Sequence, residues 1–248
     1  MPRFFVDKES IQNGTVSIGG ADAFHISRSL RMAAGEHITV CDAEAYEYDC
    51  VLEGFGEVVT ARVLEKTKLK TEPPYRVVLW QALPKGDKLD SIIQKAVECG
   101  AYEIRLFESS HCIAKTDPKA EEKKSERRNR IAYEAAKQSG RGIIPKVYGA
   151  VSFSEMLENA ARADLPMFCY EGSMTEPIGK ILDNFKTTGL QCPSVSIVIG
   201  PEGGFSLDEA EKAKKSGMVQ VGLGPRILRT ETASGFALGA ISCSLELC

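Results

Sequence analysis

The sequence is poor in the features that mark metal sites, disulfide frameworks and membrane spans. It has three histidines, none at metal-ligand spacing from another, and its eight cysteines form no CxxC pair and no regular pattern. We therefore expect no zinc site, but reduced thiols in a reducing compartment. No apolar run approaches the length of a membrane span, and the first residues lack the charged-then-apolar pattern of a signal peptide. The protein is expected to be cytoplasmic, without a membrane anchor or a resident metal.

An excess of positive charge is also missing. The formal net charge is −3 at pH 7 and the pI is near 5.8, which is not typical of proteins that bind nucleic acid through a global basic field. Residues 1–72 alone carry 8 Lys and Arg against 12 Asp and Glu. An RNA surface must come from local clusters such as 119–130, which holds six basic and three acidic residues. This cluster is either an RNA contact or a solvated helix face of mixed charge.

The chain divides near residue 72 into two parts with different patterns. The polar linker 66–74 ends in Pro73 and Pro74, which continue neither a helix nor a central strand. Before it, apolar runs with period-two alternation predict strands over 3–6, 35–41, 46–52 and 58–64, with one helix over 22–32. This pattern predicts a small, mostly β, barrel-like domain over 1–72.

After residue 73 the pattern changes to alternating strands and helices. Strands are predicted over 77–81, 104–107, 166–170, 195–199 and 219–223, and helices over 88–99, 120–138, 177–185, 206–216 and 232–247. Such alternation predicts a parallel sheet with helices on both faces. The last helix has small residues such as Gly235 and Gly239 and apolar residues around most of its circumference. It either packs within one subunit or lies at a subunit interface.

Two glycine-bearing loops follow predicted strands near the C-terminus. The loop 200–204 precedes Ser206 and Glu209, which have the spacing of a capping box. The second loop begins at 223 and leads into the last helix. Two such loops at strand ends predict a ligand site at one edge of the sheet. Neither matches a P-loop or GxGxxG turn, and Glu202 would oppose a phosphate, so we expect a ligand that is neutral or cationic at this point.

These loops belong to motifs that resemble a known family. IGPEGGFS at 199–206 and LGPRILRTETA at 223–233 resemble the C-terminal signature of SPOUT-superfamily RNA methyltransferases. Within that superfamily they resemble the RsmE-type enzymes, which methylate N3 of a uridine in small-subunit ribosomal RNA. Further segments resemble the same family in the same order: HISRSLR at 25–31, KGDKLD at 85–90, QKAVECG at 94–100 and AKQSGR at 136–141. Lys137 departs from the family, which usually carries an acidic residue there.

The resemblance implies both a fold and an activity. It implies an α/β fold in which a parallel-sheet SPOUT domain with a trefoil knot, residues 73–248, follows a PUA-like β-barrel RNA-binding domain, residues 1–72. It also implies a homodimer that uses S-adenosylmethionine (SAM) to methylate N3 of a specific uridine in 16S, small-subunit rRNA. Because an acidic protein gains little non-specific affinity for RNA, we expect the assembled 30S subunit to be the substrate rather than free rRNA.

The same resemblance places the site residues. The residues expected to bind the cofactor come from the ends of three strands: Tyr170, Glu171, Ile199, Gly200, Pro201, Gly203, Gly204, Leu223, Gly224, Ile227, Leu228, Thr232 and Ala233. Arg229 is expected to stabilise the uracil anion, oriented by Glu231 or Thr232. The alternative for Arg229 is an ordinary salt bridge to Glu231. Glu202 either faces the positive charges of the cofactor or caps the following helix.

RNA contacts are expected from the first domain and from one helix end. Arg3, His25, Arg28 and Arg31 suit phosphate contacts, since the arginine guanidinium offers a fork of donors. Gln138 and Arg141 either face RNA or support the neighbouring subunit's site. Neither His25 nor His111 is given a catalytic role. Two rival functions stay open: a SPOUT methyltransferase acting on another RNA or position, and a non-catalytic RNA-binding assembly factor that kept the fold.

Overall fold

The structure is a computed structural model that describes residues 1–113, 118–172 and 175–247. The chain forms two compact units. The first comprises Met1–Glu72 with Ala136–Ile144, and the second comprises Pro73–Ala135 with Pro145–Cys248. Within the described ranges, the helices are all too short or too polar to cross a bilayer.

The first unit contains a six-stranded sheet, in the order β1-β4-β5-β6-β3-β2. Its strands are β1 (Arg3–Phe5), β2 (Ile11–Gln12), β3 (Thr15–Ile18), β4 (His37–Cys41), β5 (Tyr46–Gly54) and β6 (Val59–Lys68). Neighbours are antiparallel except β1 and β4, which are parallel. The four predicted strands are confirmed. The missed strands β2 and β3 meet at Asn13 and Gly14, which both have positive φ. This Asn-Gly pair is a hairpin signal that could have revealed them.

The predicted helix over 22–32 is confirmed with shifted ends. Helix α1 (Gly20–Phe24) continues into one π-helical turn, His25–Ser29. The helix ends early because Arg31 adopts a left-handed φ of +53°, which a right-handed helix cannot include. The buried Ala23 and Ile26 pack into the sheet core with Ile38 and other apolar strand residues.

The second unit contains a seven-stranded sheet whose neighbouring strands are all parallel, in the order β11-β13-β10-β12-β7-β8-β9. Its strands are β7 (Arg76–Ala82), β8 (Glu103–Phe107), β9 (Lys146–Val151), β10 (Leu165–Cys169), β11 (Glu176–Pro177), β12 (Ser194–Ile199) and β13 (Val219–Gly222). This confirms an α/β fold with a parallel sheet. The five predicted strands are confirmed, while the two edge strands β9 and β11 were missed.

Six helices accompany this sheet in the described part of the chain. They are α2 (Lys88–Glu98), α3 (Pro118–Gln138), α4 (Phe153–Ala160), α5 (Ile178–Lys186), α6 (Leu207–Lys215) and α7 (Thr230–Leu245). All five predicted helices are confirmed to within two residues at each end, and the eight-residue α4 was missed. The capping box at Ser206 and Glu209 is confirmed as the start of α6. Helix α7 begins two residues earlier than predicted, because the Arg229 carbonyl accepts from the amides of Thr232 and Ala233.

An aromatic cluster anchors the sheet core beside the first glycine loop. Phe107, Phe153, Phe168 and Phe205 pack together, and the ring centroids of Phe168 and Phe205 lie 4.2 Å apart. Because Phe205 directly follows the loop 200–204, its burial fixes the end of that loop. At Gly200 a Cβ would lie 3.0 Å from the Phe205 ring, so a side chain there would require the ring to shift by a few tenths of an ångström.

Candidate active site

A cavity of about 680 Å³ opens at the carboxyl ends of three adjacent strands, β13, β10 and β12. Carboxyl ends of parallel strands meet at one edge of a sheet, and the turns that follow them shape the space between. The cavity is lined by residues 169–172 at the end of β10, by 199–202 and 204–205 at the end of β12, and by 221–230 at the end of β13. Thr175, Ala233 and Lys88 complete the lining.

Most of the residues expected to bind the cofactor line this cavity. These eleven are Tyr170, Glu171, Ile199, Gly200, Pro201, Gly204, Leu223, Gly224, Ile227, Leu228 and Ala233. Gly203 and Thr232 do not line it. A Cβ at Gly203 would lie 3.0 Å from the Cβ of His111, so this glycine faces a neighbouring loop. Thr232 is exposed on the first turn of α7. The lining residues that sequence reasoning missed include Lys88, Cys169, Arg226 and Thr230.

The first glycine loop and the start of α6 are held by the segment after β8. His111 Nδ1 donates a hydrogen bond to the Gly203 carbonyl over 2.9 Å. The amide and hydroxyl of Ser110 each donate to the Glu209 carboxylate over 2.8 Å. Gly204 has a φ of +64°, a conformation that favours glycine. His111 therefore has a partner that its sequence context did not reveal, and that partner is the backbone of the loop.

The second loop is joined to the first through the start of α7. The Thr230 hydroxyl donates to the Gly200 carbonyl over 2.7 Å and accepts from Gln81 Nε2 over 2.9 Å. Gln81 is fully buried and Thr230 is 4% exposed. Buried hydrogen bonds of this kind resist competition from water, so the two loops share one rigid connection beneath the cavity.

The acidic residues at the cavity pair differently from what the sequence suggested. The Glu202 carboxylate accepts from Lys88 Nζ over 2.7 Å and from the Lys85 amide over 3.1 Å. It does not cap α6, whose cap is Ser206. Burial alone would raise the pKa of Glu202, but these hydrogen bonds outweigh it and hold the pKa below its ordinary value. Glu202 therefore stays ionised.

The expected contact between Arg229 and Glu231 is not formed. Glu231 Oε2 lies 3.6 Å from Lys88 Nζ, and the Glu231 side chain does not line the cavity. Arg229 is exposed and lines the cavity, and within the described residues its guanidinium forms no ion pair. Glu231 thus does not orient Arg229 by a direct salt bridge, because its carboxylate faces the Lys88 ammonium instead.

Cys169 is the one thiol on the cavity wall among the described residues. Burial raises the pKa of this thiol well above its ordinary value, so it stays protonated near neutral pH. A protonated thiol is a poor nucleophile. Residues 1–113, 118–172 and 175–247 contain no cluster of three His, Cys, Asp or Glu side chains that could hold a metal ion.

The comparisons with known proteins agree on one family. Residues 71–242 match the RNA methyltransferase domain family. The chain is 38% identical to the ribosomal RNA small subunit methyltransferase E of Bacillus subtilis, over 100% of this chain and 98% of that protein. The protein of the same name from Mycobacterium tuberculosis is 32% identical, over 96% and 90% of the two chains. The chain belongs to the small-subunit rRNA methyltransferase E family.

Solved structures support the family membership. The methyltransferase E of Neisseria gonorrhoeae bound to S-adenosyl methionine has a TM-score of 0.79 at 28% identity, covering 98% of this chain and 97% of that one. A putative methyltransferase from Legionella pneumophila, solved with the bound cofactor SAM, has a TM-score of 0.83 at 27% identity over the same shares. The RsmE-type resemblance inferred from the motifs is confirmed.

The residues expected to contact RNA differ in their exposure and in their pairing with carboxylates. His25, Arg28, Arg31 and Gln138 are exposed. Arg3 is not free, because its guanidinium donates to Glu47 over 2.9 Å and to the Cys41 sulfur over 2.8 Å, and only 16% of its side chain is exposed. An arginine held by a carboxylate in this way is a weak candidate for a phosphate contact.

The expectation that Arg141 faces RNA is wrong. It is 3% exposed and its guanidinium donates to the Glu72 carboxylate over 2.6 Å, so it cannot face RNA. Arg141 and Glu72 both lie in the first unit, which includes Ala136–Ile144. Lys137, where the family usually has an acidic residue, pairs with Asp22 over 3.1 Å in the same unit. The end of α3 therefore secures the first unit through ion pairs.

The basic cluster 119–130 is largely a mixed-charge helix face. Arg128 is 7% exposed and pairs with Glu121 over 2.6 Å, and Arg127 pairs with Asp90. The side chain of Lys119 lies outside the described residues. Because two of its arginines are engaged by carboxylates, the helix-face interpretation is favoured over the RNA contact.

Proposed function

We propose that this chain transfers a methyl group from SAM to N3 of a uridine in small-subunit ribosomal RNA. The cavity at the sheet edge carries this proposal, because eleven residues expected to bind the cofactor meet there beside Arg229. The relatives are named for methylation of small-subunit rRNA, and two solved relatives hold SAM. The proposal extends their chemistry to this chain.

The residues of the cavity suit SAM. A volume of about 680 Å³ lies within the range of about 300–1,000 Å³ that is usual for cofactor sites. Ile199, Leu228 and Ala233 offer apolar surface to an adenine ring, and the glycine loops offer backbone amides and carbonyls. At Gly224, with a φ of +103°, a Cβ would meet no protein atom within 4 Å, so the backbone there borders open space. When bound, SAM supplies an electrophilic methyl group.

Arg229 is proposed as the catalytic residue. The N3 imide of uracil is a weak nucleophile until its proton is lost, and the negative charge then spreads over O2, N3 and O4. Arg229 lines the cavity with an exposed guanidinium that no carboxylate in the described residues neutralises. A fixed cation at this position stabilises the anion and the transition state that follows it. Cys169, kept protonated by burial, does not compete for the methyl group.

The RNA is proposed to contact the first unit, which we infer to be a PUA-like barrel. His25, Arg28, Arg31 and Gln138 support this surface, since all four are exposed. The acidic net charge of −3 favours the assembled 30S subunit as substrate, because a preformed surface reduces the dependence on non-specific attraction. Equal rates on naked rRNA and on assembled subunits would contradict this part of the proposal.

We further propose a trefoil knot in residues 73–248, a homodimer through α7, and a cytoplasmic location. Helix α7 packs on α2, α5 and β12, while its Phe236 remains 44% exposed between Gly235 and Ala237. Small residues on a helix allow a second helix to approach closely. Sedimentation of the purified protein tests the dimer. A monomer at micromolar concentration would contradict it.

Methyl transfer tests the function. Small subunits from a strain lacking this protein are incubated with radiolabelled SAM, and their nucleosides are analysed. We expect 3-methyluridine from the wild type, a loss of about 10²–10³-fold in rate for Arg229→Ala, and an unchanged rate for Arg162→Ala, an exposed arginine outside the cavity. Label in another nucleoside would move the protein to another methyltransferase specificity. SAM binding without any transfer would favour an assembly factor.

A further inference from the structure

Lys88 lies between two carboxylates that come from distant parts of the second unit. Its Nζ is 2.7 Å from Glu202 Oε1 and 3.6 Å from Glu231 Oε2. Lys88 is the first residue of α2, Glu202 belongs to the loop after β12, and Glu231 lies in the first turn of α7. One ammonium group thus joins three segments, two of which carry the walls of the cavity.

The neighbouring backbone strengthens this junction. The amide of Lys85 donates to both oxygens of Glu202, over 3.1 and 3.3 Å. Glu231 Oε2 is buried and has no hydrogen-bond partner within the described residues. The nearby ammonium of Lys88 is therefore its charge partner, and a buried carboxylate without one would be costly.

We propose that Lys88 is a positioning residue of the active site, which holds the loop 200–204 and the start of α7 in one arrangement and thereby places Arg229. The residue lines the cavity and its side chain is 33% exposed. The catalytic role of Arg229 in this proposal rests on the proposed methyl transfer. The junction itself does not, since its three charged side chains all belong to this chain.

Charge distinguishes this role from direct stabilisation of the uracil anion. One positive charge faces two negative charges here, so the group as a whole offers no positive potential to an anion. Arg229 has no carboxylate partner among the described residues, so its guanidinium does offer a positive potential to an anion. The hydrogen bond to Glu202 raises the pKa of Lys88 above its ordinary value, so Lys88 stays protonated at neutral pH.

Lys88→Met tests the proposal, because methionine keeps much of the side-chain length and removes the charge. Lys88→Arg retains a cation and serves as the rescue, and Lys95→Met, an exposed lysine on the same helix, is the matched control. Four quantities are compared: amide hydrogen exchange in the free protein, the Kd of SAM by calorimetry, kcat with its pH profile, and the midpoint of thermal unfolding.

For Lys88→Met we expect faster exchange of the amides in 200–204 and 229–233, while the amides of β7 are unchanged. The efficiency kcat/KM falls about 10²-fold, as for a displaced catalytic group, and the midpoint of the pH profile stays that of the wild type. Lys88→Arg recovers most of the protection from exchange and most of the efficiency kcat/KM. Lys95→Met matches the wild type in all four measured quantities.

Two results would overturn the proposal. Wild-type exchange and wild-type SAM affinity in Lys88→Met would show that the junction positions nothing. A pH profile displaced to higher pH would show that the ammonium stabilises the anion itself. If the wild type made no 3-methyluridine, the proposed function would fail, whereas the exchange and calorimetry would still decide the role of Lys88.

Discussion

The hydroxyl of Thr230 donates a hydrogen bond to the carbonyl oxygen of Gly200 over 2.7 Å. This bond links the two glycine-bearing loops that form the cavity, one after β12 and one before α7. Its Thr230 end is buried, since Thr230 is 4% exposed, and the buried Gln81 side chain donates to the same hydroxyl. Arg229 immediately precedes Thr230, so the position of the proposed catalytic residue depends on this contact.

Thr230→Val, which keeps the shape and removes the hydroxyl, should lower the free energy of unfolding by about 1–3 kcal/mol, because the Gly200 carbonyl and the Gln81 amide each lose a partner. The affinity for SAM should fall with it. Thr230→Ser keeps the hydroxyl and should restore both quantities. Denaturant unfolding and calorimetry measure them. If valine and serine behaved alike, the hydrogen bond would not be the cause.

Glu209 should make stability depend on pH in acid. Burial alone would raise its pKa, but hydrogen bonds from Ser110 and Ser206 outweigh burial and lower the pKa below its ordinary value. A carboxyl whose folded pKa is depressed stabilises the protein above its unfolded pKa of about 4.3, and this contribution is lost as the pH falls through the folded pKa.

Glu209→Gln should therefore be less stable than the wild type at pH 7, by about 1.5–3 kcal/mol for hydrogen bonds to a charged group. The difference should shrink as the pH falls below about 4. Thermal unfolding from pH 7 to pH 3 measures it. Glu211→Gln on the same helix, where the carboxylate is 71% exposed, is the control and should change little. A difference that stayed constant with pH would contradict the assignment.

Arg141 should contribute to stability rather than to RNA binding. Its side chain is 4% exposed and it pairs with Glu72, so Arg141→Met leaves a carboxylate without its charge partner and should cost about 3–5 kcal/mol. Arg127→Met removes an ion pair whose arginine is 68% exposed and should cost at most about 1 kcal/mol. Denaturant unfolding compares the two variants. Equal costs, or weaker RNA binding by a fully stable Arg141→Met, would refute this assignment.

Cys169 should react slowly with iodoacetamide. Because burial raises the pKa of this thiol, its thiolate fraction at pH 8 is small, and alkylation should accelerate as the pH increases. The exposed Cys192 serves as the internal reference in the same mass-spectrometric experiment. Bound SAM should slow Cys169 further without affecting Cys192. Alkylation of both thiols at the same rate, with or without SAM, would contradict the placement of Cys169.

Regular elements were predictable wherever the local pattern was long enough. Period-two alternation located β4 to β6, and apolar runs between turns located β7, β10 and β12. Three of the missed strands lie at a sheet edge: β2 and β11 have two residues each, and β9 contains Gly149 and a register shift against β8. Such segments take their structure from pairing with a neighbour, because their own residues show too weak a preference.

The candidate site was predictable as a set of loops but not as a set of contacts. The resemblance of the two loop motifs to the RsmE-type family located Arg229 and most of the cavity lining. Lys88 escaped attention because 114 positions separate it from Glu202, and no local pattern marks such a pair. The same holds for Glu231, whose partner was expected to be the nearby Arg229.

By itself, the sequence determined the longer strands and helices, the capping box at Ser206 and the two glycine-bearing loops, because each depends on residues a few positions apart. Only the tertiary structure decided which charges meet. It paired Lys88 with Glu202 and Glu231, and it buried Arg141 against Glu72. These contacts join segments that are distant in sequence, such as those after the neighbouring strands β7 and β12 for Lys88 and Glu202, and the free energy of desolvation and pairing then selects the partner.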